Sequence, residues 1–180
     1  MYRLLMVSFI FIFSPLSVYA QGSNAFLGYS YLNADGLSNR THFNGWNASI
    51  EGKMFPFIGI VADLSGHYGH ETLGLGCGSS CSGFTATSKQ YNFVFGPRIS
   101  VGVGKFVPFA HYLLGASHIT TSGNSASASD TSFSQAVGGG VDIKALPIIG
   151  WRFQGDYLQT RFFDRTQNDF RFSTGIVLHF

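Results

Sequence analysis

Apolar and polar side chains alternate along most of the chain beyond its first twenty residues. In the segment 91–101, Tyr91, Phe93 and Phe95 occupy alternate positions, with Asn92 between them and Val94 as the exception on the polar side. Successive side chains of a strand point to opposite sides, so a period of two predicts a β-strand with one apolar and one polar face. This region has no run of 18 consecutive apolar residues, so no segment of it is a candidate transmembrane helix.

Eight segments carry this pattern or a noisier version of it. They are residues 25–32, 46–54, 59–68, 91–101, 106–119, 133–144, 149–157 and 171–180. Each strand with its connection then takes about 20 residues, and a tilted strand that spans a membrane needs about 9–11. The sequence therefore predicts an all-β chain, an eight-stranded antiparallel up-and-down barrel.

The connections between these segments alternate in length. Residues 55–57, 102–105 and 145–147 form short turns, and residues 33–42, 69–88, 120–131 and 159–169 form long polar connections. Short turns at one rim and long loops at the other are typical of outer-membrane barrels. The Ser/Ala/Gly/Asn-rich run 121–129 has low complexity, and we expect a mobile loop there.

The composition favours a membrane barrel over a soluble domain. Only 11% of residues are charged, against roughly 25% in soluble domains, while aromatic residues reach 16% and glycines number 23. A closed barrel is the one β-structure that pairs all its backbone groups inside lipid. The net charge of +2 is not clustered, so no nucleic-acid partner is expected.

The polar faces of the strands carry charges of both signs. An eight-stranded barrel has an interior just wide enough to be filled by side chains, and buried charges must be paired. We therefore predict a plugged interior with a balanced charge network and no wide pore. Its members are Glu51, Lys53, Asp63, Arg98, Asp142, Arg152, Asp156 and Arg171. The alternative is that these charges lie on the solvated outer face of a soluble β-sandwich.

The N-terminal segment has the pattern of a secretory signal peptide. Arg3 provides a positive charge, residues 4–13 are a short apolar core, and the small residue Ala20 ends a cleavage-like sequence. We expect residues 1–20 to be a signal peptide and residues 21–180 to form the barrel domain. The alternative is an uncleaved N-terminal anchor.

Cys77 and Cys81 lie four residues apart in a stretch rich in glycine and serine. Because an exported protein reaches an oxidising compartment, we interpret them as a disulfide candidate. Free thiols or half of a metal site are the alternatives, although no second cysteine pair exists to complete a zinc motif.

No catalytic set emerges from the sequence. His111 is expected to form hydrogen bonds in the interior, while Ser117 and His118 are adjacent in a strand and so point to opposite sides. His67 and His70, three residues apart, do not share a strand face either. We therefore expect no enzyme, no catalytic or metal-binding residues and no cofactor.

Several short motifs resemble the outer membrane protein β-barrel domain family, whose relatives include the OmpA membrane domain and OmpX. They are the sequences at residues 28–35 (GYSYLNAD), 95–98 (FGPR), 108–111 (PFAH), 138–142 (GGGVD) and 156–158 (DYL). The last strand, 172–180, is similar to the family's C-terminal strand. That resemblance implies that Phe172, Ile176, Leu178 and Phe180 form an assembly signal, read by the barrel-assembly machinery.

The expected function is that of a non-enzymatic integral protein of the bacterial outer membrane with a structural, surface-display or adhesion role. Its expected partners are outer-membrane lipid, the barrel-assembly machinery during insertion, and an extracellular ligand at the long loops. We expect a monomer. The alternatives are a soluble exported carrier similar to lipocalins, an outer-membrane lipid-modifying enzyme and a small channel.

Overall fold

The computed structural model describes residues 22–35, 40–73, 84–123, 126–162 and 165–180. Each strand pairs antiparallel with its neighbours in sequence, and β1 pairs with β8 to close the barrel. The strands of the described residues are β1 (Asn24–Asp35), β2 (Arg40–Phe55), β3 (Ile58–Leu73), β4 (Phe84–Ser100), β5 (Phe106–Gly123), β6 (Ala126–Lys144), β7 (Ile149–Phe162) and β8 (Arg165–His179). The described part contains no helix that is long and apolar enough to cross a membrane.

The alternation in the sequence corresponds to the inside and the outside of the barrel. In β7, Trp151 and Phe153 are exposed, while Arg152 and Gln154 between them are buried. The pleat of a strand forces this arrangement because side chains two residues apart share a face. The predicted fold, a closed eight-stranded antiparallel barrel with up-and-down connectivity, is confirmed.

The outer surface of the barrel is an apolar belt. Leu27 is 65% exposed, Phe93 53% and Trp151 45%. Monomeric soluble proteins rarely expose a continuous apolar surface of this extent, and such surfaces mark contact with lipid or protein. The belt includes residues of all eight strands, among them Leu27, Ile50, Leu64, Phe93, Leu114, Val137, Phe153 and Ile176.

The barrel has two unlike ends. At the end that we call the turn end, short connections join β2 to β3, β4 to β5 and β6 to β7. Gly104 has a positive φ of 63° in the second of these connections, a conformation that favours glycine. At the opposite end, which we call the hairpin end, the other four strand pairs extend past the belt.

The strands at the hairpin end are longer than the sequence predicted. β5 and β6 remain paired as far as Gly123 and Ala126, so most of the run 121–129 is strand where we expected a mobile loop. The other three long connections are shortened in the same way, and Asp169, expected in a loop, lies buried in β8. Backbone hydrogen bonds extend a hairpin without an apolar face, so these segments give no period-two signal.

Two glycines face each other where the barrel closes. Gly28 of β1 pairs with Gly175 of β8, and a Cβ on Gly175 would lie 2.3 Å from the Gly28 Cα. No real Cβ tolerates that distance, so the seam between the first and last strands requires glycine at this level.

The interior also contains an apolar cluster. Val94, the exception on the polar side of its strand, packs with side chains from four other strands. The cluster consists of Val61, Val94, Leu113, Ala136 and Leu158, each with no exposed surface. The inside of the barrel is therefore part apolar packing and part polar network.

Candidate functional site

Seven of the eight charged side chains that alternation assigned to the barrel interior are buried there. They are Glu51, Asp63, Arg98, Asp142, Arg152, Asp156 and Arg171. Lys53, the eighth, borders an interior cavity together with Glu51. It is half-buried near the turn end, and no acid in the described part of the chain lies within ion-pair distance of it. A lysine can extend its flexible stem toward water, which explains the difference.

Arg171 joins two acids that come from different sides of the barrel. Its Nε donates to Asp156 Oδ2 at 2.8 Å, and its Nη1 donates to Asp63 Oδ1 at 2.7 Å. Asp156 lies directly opposite Arg171 on β7, whereas Asp63 belongs to β3. Asn47 also donates to Asp63, and Gln154 donates to Asp156. These bonds compensate for burying the charges, which would be costly if unpaired.

Arg152 forms a two-point ion pair with Asp142, its direct neighbour across β6 and β7. Its Nε lies 2.6 Å from Oδ1 and its Nη2 2.8 Å from Oδ2. This parallel arrangement is the strong geometry for a guanidinium and a carboxylate. The same guanidinium donates to Asn24 Oδ1 at 3.2 Å and Ser49 Oγ at 3.4 Å. It therefore ties β7 to β1 and β2.

A third ion pair, between Arg98 and Glu51, is connected to His111. Arg98 Nη1 donates to Glu51 Oε2 at 3.0 Å, and Asn24 donates to the same oxygen at 2.8 Å. Arg98 Nη2 lies 3.3 Å from His111 Nδ1, and His111 Nε2 lies 2.8 Å from Asp156 Oδ1. Because a guanidinium can only donate, Nδ1 is the acceptor and Nε2 donates to the carboxylate. His111 is thus the link between the Glu51 and Arg171 groups.

The ring of Phe109 lies among these charges. The guanidinium carbon of Arg98 is 4.2 Å from its centre and that of Arg152 is 4.8 Å away. Two cations are thereby held by the π-face of one ring, as in cation–π contacts. Gly140 makes room for this arrangement, since a Cβ there would lie 2.8 Å from the ring and 2.1 Å from the Phe153 carbonyl oxygen.

Uncharged side chains continue the network toward the hairpin end. Arg171 Nη1 donates to Ser65 Oγ at 3.0 Å, Asn92 Nδ2 donates to the same hydroxyl at 3.1 Å, and Ser117 Oγ donates to Asn92 Oδ1 at 2.6 Å. We did not single out Ser65 or Asn92 as site residues, although their position in the alternation placed both of them on the polar face. At the turn end a cavity of about 30 Å³ is bounded in part by Glu51, which is room for roughly one water molecule.

The serines and histidines of the described residues that approach each other lie either on different faces of a strand or in the buried interior. Ser117 points inward, whereas His118 is exposed outside and contacts Thr131 at 2.7 Å. Ser30 and His67 are 2.9 Å apart, but both are fully buried. No group of three His, Cys, Asp or Glu side chains in this part of the chain could hold a metal ion.

Two further predictions concern the chain ends and the cysteines. Phe172, Ile176, Leu178 and Phe180 all lie exposed on the outer face, at alternate positions of the last strand and its end. Cys77 and Cys81, and the segment 1–20, lie outside the described residues.

No family model and no curated protein matches the chain. Several solved structures, however, do match it. Ail, the attachment invasion locus protein of Yersinia pestis, was crystallised with the heparin analogue sucrose octasulfate. It is 16% identical over 88% of this chain and 98% of its own, with a TM-score of 0.63. Another structure of this outer-membrane protein was obtained in a phospholipid bilayer nanodisc.

Two other structures share the fold. Neisserial surface protein A is 10% identical over 88% of this chain and 97% of its own, with a TM-score of 0.66. The N-terminal β-barrel domain of Pseudomonas aeruginosa OprF is 10% identical over 89% of this chain and all of its own, with a TM-score of 0.54. The expected likeness to small outer-membrane barrels is confirmed at the level of the fold.

Proposed function

We propose that the chain is a non-enzymatic integral barrel of the bacterial outer membrane that displays its hairpin end on the cell surface. This proposal rests on the distribution of side chains, which is the reverse of that in a soluble protein. Fully buried arginines fill the interior, and large apolar residues such as Leu27 and Phe93 cover the outside. In water the apolar belt would be unfavourable, whereas in lipid it is the expected surface of a barrel.

The polar interior favours a structural role over transport. The three arginines occupy positions where a channel or a carrier would need open space, and each is tied to strands other than its own. A lipocalin-like carrier would instead line its interior with apolar groups to receive a ligand. The fold neighbours support the membrane location, since Ail was studied in a bilayer.

We further propose that residues 1–20 direct export and are removed, that Cys77 and Cys81 form a disulfide, and that the exposed alternate residues of β8 are read by the barrel-assembly machinery. Outer-membrane lipid would then contact the belt, and an extracellular ligand would contact the hairpin end. The long paired strands of that end support a display role, because binding sites commonly lie on loops held by a rigid scaffold.

Cell fractionation combined with gel mobility tests the membrane location. The full chain should occur in the outer-membrane fraction, and the unheated sample in mild detergent should migrate differently from the heated sample. Recovery in the soluble periplasmic fraction would refute the proposal. Turnover of phospholipid or lipopolysaccharide by the pure protein, abolished by replacing His111 or His118 with alanine, would instead establish an enzyme.

A further inference from the structure

Three of the four lysines of the chain lie at the turn end of the barrel. Lys53 lies two residues before the end of β2, Lys144 is the last residue of β6, and Lys105 immediately precedes β5. Lys53 and Lys144 border the same cavity at the mouth of the lumen, and Lys144 N donates to Lys105 O at 2.8 Å. The three side chains therefore belong to one mouth of the barrel, and we call them the lysine rim.

The charge of the lysine rim is not neutralised by acids of the described residues. Glu51 and Asp142, which lie on the same strands as two of the lysines, are buried and paired with arginines at 3.0 and 2.6 Å. No described acid forms an ion pair with a lysine of the rim. A C-terminal carboxylate on Phe180 would offset one of the three charges. Since Lys105 and Lys144 are exposed, the turn end presents net positive charge to its surroundings.

The turns next to the lysine rim carry apolar side chains. Turns in water commonly use asparagine, aspartate and serine besides glycine and proline. The three turns here contain glycine and proline, but their other positions are apolar except for Lys105. Phe57, Val103, Leu146 and Ile148 are all exposed, the second and the last at 63%. Such side chains are unfavourable in water, whereas at the boundary between headgroups and acyl chains they are covered by lipid.

We propose that the turn end binds an anionic phospholipid of the inner leaflet, with its phosphate at the lysine rim and its acyl chains along the apolar turns. This inference rests on the orientation proposed above, with the hairpin end on the cell surface, and deepens it by naming the headgroup chemistry. Lysines near a membrane surface attract acidic headgroups, and their long stems let the ammonium groups reach the level of the phosphates. One amphipathic ligand thus accounts for both the charges and the apolar turns.

A soluble anion explains fewer of these features. Inorganic phosphate or an acidic protein segment could pair with the lysines, but it would leave Phe57, Val103 and Leu146 facing water. The cavity between Lys53 and Lys144 has a volume of about 30 Å³. It has room for roughly one water molecule, so a phosphate group cannot enter the lumen there. The headgroup therefore lies over the edge of the mouth, where it remains attached to acyl chains that run along the outside of the barrel.

Quenching of Trp151 by brominated lipids tests the proposal. Trp151 is exposed on the outer face, and the residue before it, Gly150, pairs with Lys144. Trp46→Phe makes it the single tryptophan of the chain. The protein is reconstituted in phosphatidylcholine vesicles with a small fraction of brominated phosphatidylglycerol or, in parallel, of brominated phosphatidylcholine. We expect the acidic lipid to bind next to Trp151 at least about fivefold more strongly, the effect of one lysine near an acidic headgroup, and this preference should fall as salt rises.

The exposed lysines provide the variants and their matched control. Lys105→Gln combined with Lys144→Gln should abolish the preference at Trp151, whereas Lys105→Arg combined with Lys144→Arg should retain it. Lys89 is exposed on β4 toward the hairpin end, so Lys89→Gln should leave the preference unchanged. A heat-modifiable band on gels verifies that each variant is folded.

The outcomes separate this proposal from the membrane location. Equal quenching of Trp151 by the two brominated lipids would overturn it and favour a soluble acidic partner for the lysine rim, while the contact with lipid would still support the membrane location. A preference that persists in the double glutamine variant would also overturn it, because the lysines would then not be its source. If neither lipid quenched Trp151, the membrane location itself would be refuted, in agreement with recovery of the chain in the soluble fraction.

Discussion

Replacing Arg171 with methionine is the sharpest test of the interior network. Methionine has a similar length and fits a buried site, so the change removes the charge and the hydrogen-bond donors with little loss of volume. The guanidinium is fully buried and joins β8 to acids on β3 and β7. The variant therefore leaves two buried carboxylates without their main partner.

The expected cost follows from the contacts of the guanidinium. It donates three hydrogen bonds, two of them to carboxylates. At about 1.5–3 kcal/mol for a bond to a charged group, these bonds sum to roughly 5–9 kcal/mol. The carboxylates keep other donors, from His111 and Gln154 in one case and Asn47 in the other. We therefore expect a loss of about 3–5 kcal/mol, as when one partner of a buried ion pair is removed.

Urea unfolding in lipid vesicles, followed by gel mobility and tryptophan fluorescence, measures this loss. Arg161→Met is the matched control because Arg161 is exposed at the hairpin end, and its effect should stay within about 0.5 kcal/mol. Adding Asp63→Asn and Asp156→Asn to Arg171→Met should recover part of the loss, since the uncompensated charges are then removed. A loss below about 1 kcal/mol for Arg171→Met, or no recovery in the triple variant, would refute the network as a source of stability.

Three further predictions concern the network, the seam and assembly. Arg98→Glu places a second acid beside Glu51 and should prevent formation of the heat-modifiable folded band; a normal band would contradict the interior pairing. Gly175→Val should block closure between β1 and β8, whereas Gly52→Val, where a Cβ would meet nothing within 4 Å, should fold normally in the same gel assay. Deleting Phe180 should slow insertion into the outer membrane in a pulse–chase experiment, and an unchanged rate would argue against its role in the assembly signal.

The faces of the strands could be predicted because the pleat ties side-chain direction to sequence position. Glu51, Arg98 and Arg152 all fall on the polar side of clear alternation, and all three are buried. The partners could not be predicted in the same way. Asp142 and Arg152 are neighbours across one turn, but Asp63 reaches Arg171 across the lumen. Such contacts depend on the tilt and register of all eight strands, which local patterns do not contain.

At the hairpin end, by contrast, the sequence pattern did not predict the strands themselves. The run 121–129 consists only of small residues, namely serine, alanine, threonine, asparagine and glycine, so neither face carries a large apolar side chain and the alternation is weak. Its strands form because backbone pairing that starts at Phe106 continues in register to Gly123. A prediction that depends on the alternation of apolar and polar side chains therefore ends each strand at the edge of the belt. The backbone pairing between the strands nevertheless continues into water.

The membrane explains both why the strand faces could be predicted and why the strand ends could not. It also indicates where the protein can bind a partner. Inside the belt, each outward position must be apolar and the interior must satisfy its own charges, so the membrane constrains both faces of every strand. A partner at those surfaces would have to displace lipid or break ion pairs such as Arg152–Asp142. Above the belt neither constraint applies, because the strands there face water and not lipid. The segments that carry the weakest sequence signal are therefore the ones with the greatest freedom to bind.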